Sequence, residues 1–165
     1  MHMSHANRTL DTMPSHARLW IYKATRGLNE VEQCLIRARG ASFTADWSAH
    51  GAQLDACVDV VIDRYVLIAV DEDQARASGC SIDKSVAFIK SLEHDLQLTL
   101  TDRMVVAYEK DGQVIGARLQ ELQRLLKAGE VTPDTVVFDD QVSTVGEWRE
   151  RFKVPLHGSW MERFL

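Results

Sequence analysis

A cysteine, a histidine and two acidic residues have the types and positions that nucleophilic catalysis needs. Cys80 directly precedes a predicted helix, whose free N–H groups and dipole favour a thiolate. His50 is a candidate base, and Asp71 or Glu72 could orient its imidazole, which would complete a Cys-His-acid arrangement. In the alternative interpretation, Cys80 is a small core residue at the helix entry and His50-Gly51 forms a turn.

The acidic run 71–73 could ligate a hard cation through oxygen, but three consecutive carboxylates do not all point one way, which favours a solvated loop. HExxH, paired CxxC and EF-hand spacings do not occur, so the sequence predicts no metal site and no cofactor. The candidate binding residues around the cysteine are Trp47, Asp71, Glu72, Ser81 and Asp83.

The segment SGCSIDKS (78–85) superficially resembles a phosphate-binding loop. That loop needs a second glycine directly before its lysine, where the backbone wraps the phosphate. Here Asp83 precedes Lys84, and the spacing from Gly79 is one residue short. Neither a Walker B strand nor an LSGGQ-type signature occurs elsewhere, so we predict that the chain has no ATPase activity.

Periodicity and turn signals indicate the elements that would position these residues. Strands are expected at 18–24, 54–62, 65–70 and 103–109. A first helix, capped by Asn29, has the apolar stripe Val31, Cys34, Leu35 and Ala38 and a stop at Gly40. A second helix, capped by Ser81, has the stripe Ile82, Val86, Ile89, Leu92 and Leu96. The connection 43–53 between the first helix and the second strand is expected to be a loop.

This order predicts an α+β fold with a ferredoxin-like split βαβ core (βαββαβ), an antiparallel sheet with both helices on one face. The core would span 13–109 behind a polar tail at 1–12. The remainder, 110–165, begins with the hairpin signal Asp111-Gly112. It continues as strand, helix, strand and short helices, and we expect it to pack on the core as one compact unit.

In that topology one edge of the sheet would collect the candidate residues, because strand direction alternates. Loops at one end of a rigid scaffold are the usual location of functional sites. The expected set is Trp47, His50, Asp71, Glu72, Cys80, Ser81 and Asp83, joined by His16, Arg18 and Glu109.

Composition bounds the function class. The chain has 165 residues, 45% of them hydrophobic and 26% charged, as in a soluble globular domain. A net charge of −5 argues against a nucleic-acid partner, and apolar runs are too short for membrane insertion. Three cysteines without CxxC spacing predict reduced thiols and a cytoplasmic location.

The chain resembles a family of small bacterial proteins of about this length. The segments that carry the resemblance are MPSHARLWIY (13–22), WSAHG (47–51), SGCSIDKSVAFIK (78–90), TVVFDDQVST (135–144) and SWMERF (159–164). Members commonly carry the label "ABC transporter ATPase", which no motif of this chain supports. The resemblance implies no catalytic residues.

The C-terminal third, 107–138 followed by Trp148, resembles the GYF-type pattern of hairpin, helix and strand. That pattern implies recognition of proline-rich peptides, although it has Gly-Pro where this chain has Gly116-Ala117.

We therefore predict a binding or interaction protein whose partner is a second copy of the chain or another protein. One alternative is a small cysteine-dependent hydrolase or acyl-transfer enzyme using Cys80 and His50. The other is proline-rich-peptide recognition through the C-terminal third.

Overall fold

The computed structural model describes residues 8–165, which form helices and antiparallel sheets. The helices are α1 (Glu30–Asp46), α2 (Gly79–Leu96), α3 (Leu119–Ala128) and α4 (Val145–Arg151). The strands are β1 (Arg18–Lys23), β2 (Ser48–Ala49), β3 (Ala52–Gln53), β4 (Asp55–Val61), β5 (Tyr65–Asp71), β6 (Val105–Lys110), β7 (Gln113–Arg118), β8 (Val136–Phe138) and β9 (Lys153–Pro155). Short 3-10 turns lie at Leu10–Thr12, Leu156–Gly158 and Trp160–Phe164.

The first sheet has the strand order β1-β5-β4, with both pairs antiparallel. Every residue of β5 is buried, as its uninterrupted apolar sequence predicts for a strand covered on both faces. Its Val66, Ile68 and Val70 pack with Ile36 of α1 and Ile89 of α2. The alternate residues of β5 face the other way, into a second hydrophobic cluster.

The second sheet has the order β7-β6-β8-β9. Ala107 and Phe138 on one face share a cluster with Tyr65 of β5, whereas Tyr108 on the opposite face packs with Leu122 of α3. The structure therefore stacks two helices, two sheets and a further helix. Residues of the two sheets thus belong to one hydrophobic cluster.

The mixed α+β class is confirmed, but the ferredoxin-like topology is not. The strand that should complete the first sheet, β6, pairs with β7 and β8 instead. The tight Asp111-Gly112 turn supplies β6 with a local partner. The outer edge of β1 is covered by a loop, since Leu19 N–H donates to the Ser143 carbonyl at 2.9 Å.

Two local predictions need correction. The first helix does not stop at Gly40 but continues to Asp46. The connection 43–53, expected to be a loop, contains the last turn of α1 and the β2–β3 hairpin. No helix within residues 8–165 combines the length and apolarity needed to cross a bilayer.

Residues 1–7 of the polar tail predicted at 1–12 lie outside the described residues. The rest of that segment is packed rather than extended. Leu10 is buried, and the Arg149 guanidinium donates to the carbonyls of Leu10 (2.9 Å) and Met13 (2.8 Å).

Candidate functional site

Cys80 and His50 are both exposed, and no hydrogen bond joins their side chains. Cys80 lies inside the first turn of α2, whose N-cap is Ser78 rather than the expected Ser81. His50, with a φ of 51°, and Gly51, with a φ of 80°, form the two-residue turn between β2 and β3. Within residues 8–165 neither side chain makes a hydrogen bond or ion pair. The cysteine-dependent enzyme stays a prediction.

Trp47 and Ser81 hold the hairpin against α2. The buried Trp47 indole N–H donates to the Ser81 carbonyl at 2.8 Å, and its ring lies 5.0 Å from that of Phe43. The Ser81 hydroxyl accepts from the Ser78 N–H at 2.6 Å. Asp83 is exposed on the following turn. Trp47 and Ser81 thus serve internal packing, which leaves little of either for a ligand.

Asp71 is the centre of a charged cluster at the end of β5. It is buried and lies opposite Asp55 in the β4–β5 register. Arg8 donates to Asp71 Oδ2 at 2.8 Å and lies 3.6 Å from Asp55 Oδ2. His16 Nε2 lies 2.9 Å from Asp73 Oδ1 and 3.8 Å from Asp71 Oδ1. His16, expected at this edge, does reach the acidic loop.

The other residues expected at this edge have separate roles. Glu72 Oε2 accepts from the Ala77 N–H at 3.0 Å, which braces the loop before α2. The Arg18 guanidinium lies over the Trp20 ring, 4.6 Å from its centroid. Glu109 lies elsewhere, because β6 belongs to the second sheet.

A face of α1 that we expected to be core is exposed. Val31 is 79% exposed and Leu35 39% exposed, and Cys34 and Ala38 are exposed with them. The helix instead buries Gln33, Ile36 and Gly40 against the protein. The Gln33 side chain can be buried because its Nε2 donates to the Leu28 carbonyl at 2.8 Å.

This exposed face continues along the helix without a charge. We call it the α1 face; it consists of Val31, Cys34, Leu35, Ala38, Ala41, Ser42 and Ala45, all exposed. Residues seven apart share one side of a helix. Glu30 and Arg37 therefore flank the α1 face on one side, and Glu32 and Arg39 on the other. A surface helix normally carries charged residues on the side that faces solvent. An uncharged face exposed to solvent is therefore unusual.

The third cysteine is a core residue. Cys57 is buried, and burial raises the pKa of its thiol to about 12. It is therefore no nucleophile in the folded protein.

Comparisons of the chain with protein-family models, with curated proteins and with solved structures found no match. The resemblances described above therefore stay predictions.

Proposed function

We propose that this chain is an interaction protein that self-associates through the α1 face. The observation that carries the proposal is the exposure of an uncharged helical face that includes Val31 and Leu35. Contiguous apolar surface of this kind marks interaction sites in soluble proteins.

A second copy of α1 fits this face when the two helices run antiparallel about a two-fold axis between Cys34 and Leu35. Val31 then faces the partner's Ala38, and Cys34 faces the partner's Leu35. At each end of the contact, the larger Val31 of one helix meets the smaller Ala38 of the other, so the helices can approach closely. The contact is isologous, as in most homodimers.

The flanking charges favour the same arrangement. About this axis, Glu30 lies beside the partner's Arg37, and Glu32 beside the partner's Arg39. Each pair is offset by two residues, about 3 Å along the helix, which these side chains can span. A parallel pair would instead place like charges together.

The intramolecular contacts of these residues set the strength of the pairs. Arg37 already binds Asp59, Arg39 already binds Asp95, and Glu32 already binds Arg26. Each pair with the partner therefore competes with an ion pair inside the chain and contributes little. One helix face also buries less than the roughly 1,200 Å² of a standard interface. We therefore expect a weak dimer whose population depends on concentration.

Sedimentation velocity across a concentration series tests the proposal. Wild-type protein should shift from monomer to dimer, and Leu35→Glu should stay monomeric because it places a carboxylate on the α1 face. Met104→Glu is the matched control: Met104 is 48% exposed but lies outside α1, so this variant should dimerise like wild type. Thermal unfolding at low concentration verifies that both variants are folded.

Cross-linking at Cys34 tests the geometry. In a Cys80→Ser background, Cys34 is the exposed thiol that remains, and a short bismaleimide should convert the dimer to a covalent species. Leu35→Glu should abolish that species. A chain that stays monomeric at every concentration, or a dimer that Leu35→Glu leaves intact, would overturn the proposal.

A further inference from the structure

We propose that His16, Asp71 and Asp73 bind a divalent transition-metal cation. The ligand atoms are His16 Nε2, Asp71 Oδ1 and Asp73 Oδ1, which all lie within 4.8 Å of one another. This site is separate from the α1 face and does not depend on self-association.

The separations of these atoms suit one coordination sphere. His16 Nε2 is 2.9 Å from Asp73 Oδ1 and 3.8 Å from Asp71 Oδ1. Metal–ligand bonds of about 2.1 Å place neighbouring ligands roughly 3 Å apart and opposite ligands about 4.2 Å apart. His16 and Asp73, with side chains 62% and 58% exposed, have room to close the remaining distance.

Asp71 is already oriented as a ligand. Arg8 donates to its Oδ2 at 2.8 Å and leaves Oδ1 directed toward His16. The Asp73 N–H donates to that Oδ1 at 3.1 Å, which fixes the loop. An outer partner that holds the second oxygen of a carboxylate is typical of metal ligands. Arg8 therefore acts as the outer-shell group of the site.

The pairing of β1 with β5 brings the three ligands together. His16 lies just before β1 and Asp71 ends β5, and the two strands pair with Arg18 opposite Val70. Asp71 and Asp73 carry two negative charges, whereas Arg8 supplies one positive charge, which it shares between Asp71 and Asp55. A bound cation would balance the remainder.

The donor set selects the class of ion. One imidazole with two carboxylates suits zinc, manganese or iron(II), whereas magnesium prefers oxygen ligands alone. Three protein ligands also leave positions for water or a small anionic ligand.

Isothermal titration with Zn²⁺ tests the site in the full chain carrying Cys34→Ser and Cys80→Ser, which removes the two exposed thiols. One ion should bind per chain. His16→Gln and Asp73→Asn should each weaken binding at least tenfold. His50→Gln and Asp83→Asn, which replace exposed residues of the same types, are the matched controls and should bind like the parent.

Two results would overturn the proposal. One is a folded parent protein that takes up no zinc. The other is zinc binding that His16→Gln and Asp73→Asn weaken no more than the two control variants do. Repeating the titration with Leu35→Glu separates this site from self-association, because the monomer should retain full zinc affinity.

Discussion

Gly40 of α1 lies directly against Val58 of β4. A Cβ placed on Gly40 would stand 2.5 Å from the Cβ of Val58 and 2.8 Å from its Cγ1. Both atoms belong to a short, branched side chain on the first sheet, which cannot swing away as a long side chain would. The glycine therefore sets how closely α1 approaches the sheet.

Gly40→Ala should destabilise the protein by about 1–3 kcal/mol through overpacking, although alanine is the better helix former by about 1 kcal/mol. Gly79→Ala is the control, because Gly79 also lies in a helix but its Cβ would meet nothing within 4 Å. Urea unfolding of both variants measures the difference. Equal stability of the two variants would show that α1 can shift away from Val58.

The same contact explains why the predicted end of α1 at Gly40 was wrong. The predicted cap, Asn29, is confirmed, and Glu32 completes a capping box with it. Gly40, however, acts as a packing residue inside the helix rather than as its stop. The apolar period identified the helix but not its buried side, because Ile36 and Gly40 supply a second, less obvious face.

The local sequence predicts individual strands but not all of their pairing into sheets. The apolar residues of β4, β5 and β6 and the turn signals between elements are readable from the local sequence. The Asp111-Gly112 turn signals the local pairing of β6 with β7, but the pairing of β6 with β8 and the loop that covers β1 involve residues distant in sequence. The topology argument placed His16 at the same sheet edge as Asp71, but it did not predict that their side chains form one cluster with Asp73.

A buried ion pair ties the two halves of the chain together. Lys23 Nζ lies 2.8 Å from Asp140 Oδ2, and the Lys23 side chain is only 5% exposed. Lys23→Met keeps most of the apolar part of the side chain but leaves Asp140 unpaired. It should lower the free energy of unfolding by about 2 kcal/mol. This figure lies below the usual range for a buried pair, because Asp140 is partly solvated.

Chemical unfolding of Lys23→Met, Asp140→Asn and the double variant should show that the two changes are not additive. The control is Arg151→Met, which breaks the exposed pair with Glu147 and should cost at most about 0.5 kcal/mol. Strict additivity at Lys23 and Asp140 would mean that the pair contributes no coupling.

Glu32 should give the stability of the protein a dependence on acid pH. Two hydrogen bonds from Arg26, at 2.9 and 2.7 Å, and one from the Asn29 N–H lower the pKa of Glu32 from 4.5 to about 2. The folded pKa lies below the unfolded one. The stabilisation is therefore complete above about pH 5 and is lost as the pH falls toward 2.

The free energy of unfolding of wild type and Glu32→Gln, measured between pH 7 and pH 2, checks this window. The gap between the two proteins should be widest near neutral pH and should close toward pH 2. Arg26→Gln should flatten much of the same dependence, because it removes the main hydrogen-bond donor. A gap that stays constant with pH would contradict the role assigned to the Glu32 carboxylate.

Cysteine labelling tests the buried thiol and the catalytic hypothesis together. Cys57 is buried with a pKa of about 12, so its thiolate fraction at pH 8 is on the order of one in ten thousand. Iodoacetamide should therefore modify Cys34 and Cys80 in the folded protein, and Cys57 only after unfolding. Peptide mass spectrometry resolves the three sites.

The relative rate at Cys80 carries the functional information. Its sulfur makes no hydrogen bond with the residues the structure describes, so we expect Cys34 and Cys80 to label at similar rates at concentrations where the chain is monomeric. If the pH dependence of labelling gave Cys80 an apparent pKa well below the ~8.5 of a free thiol, and if His50→Ala raised that pKa, the two residues would interact. The cysteine-dependent enzyme would then displace the interaction protein as the better account, because no packing role for His50 predicts such coupling.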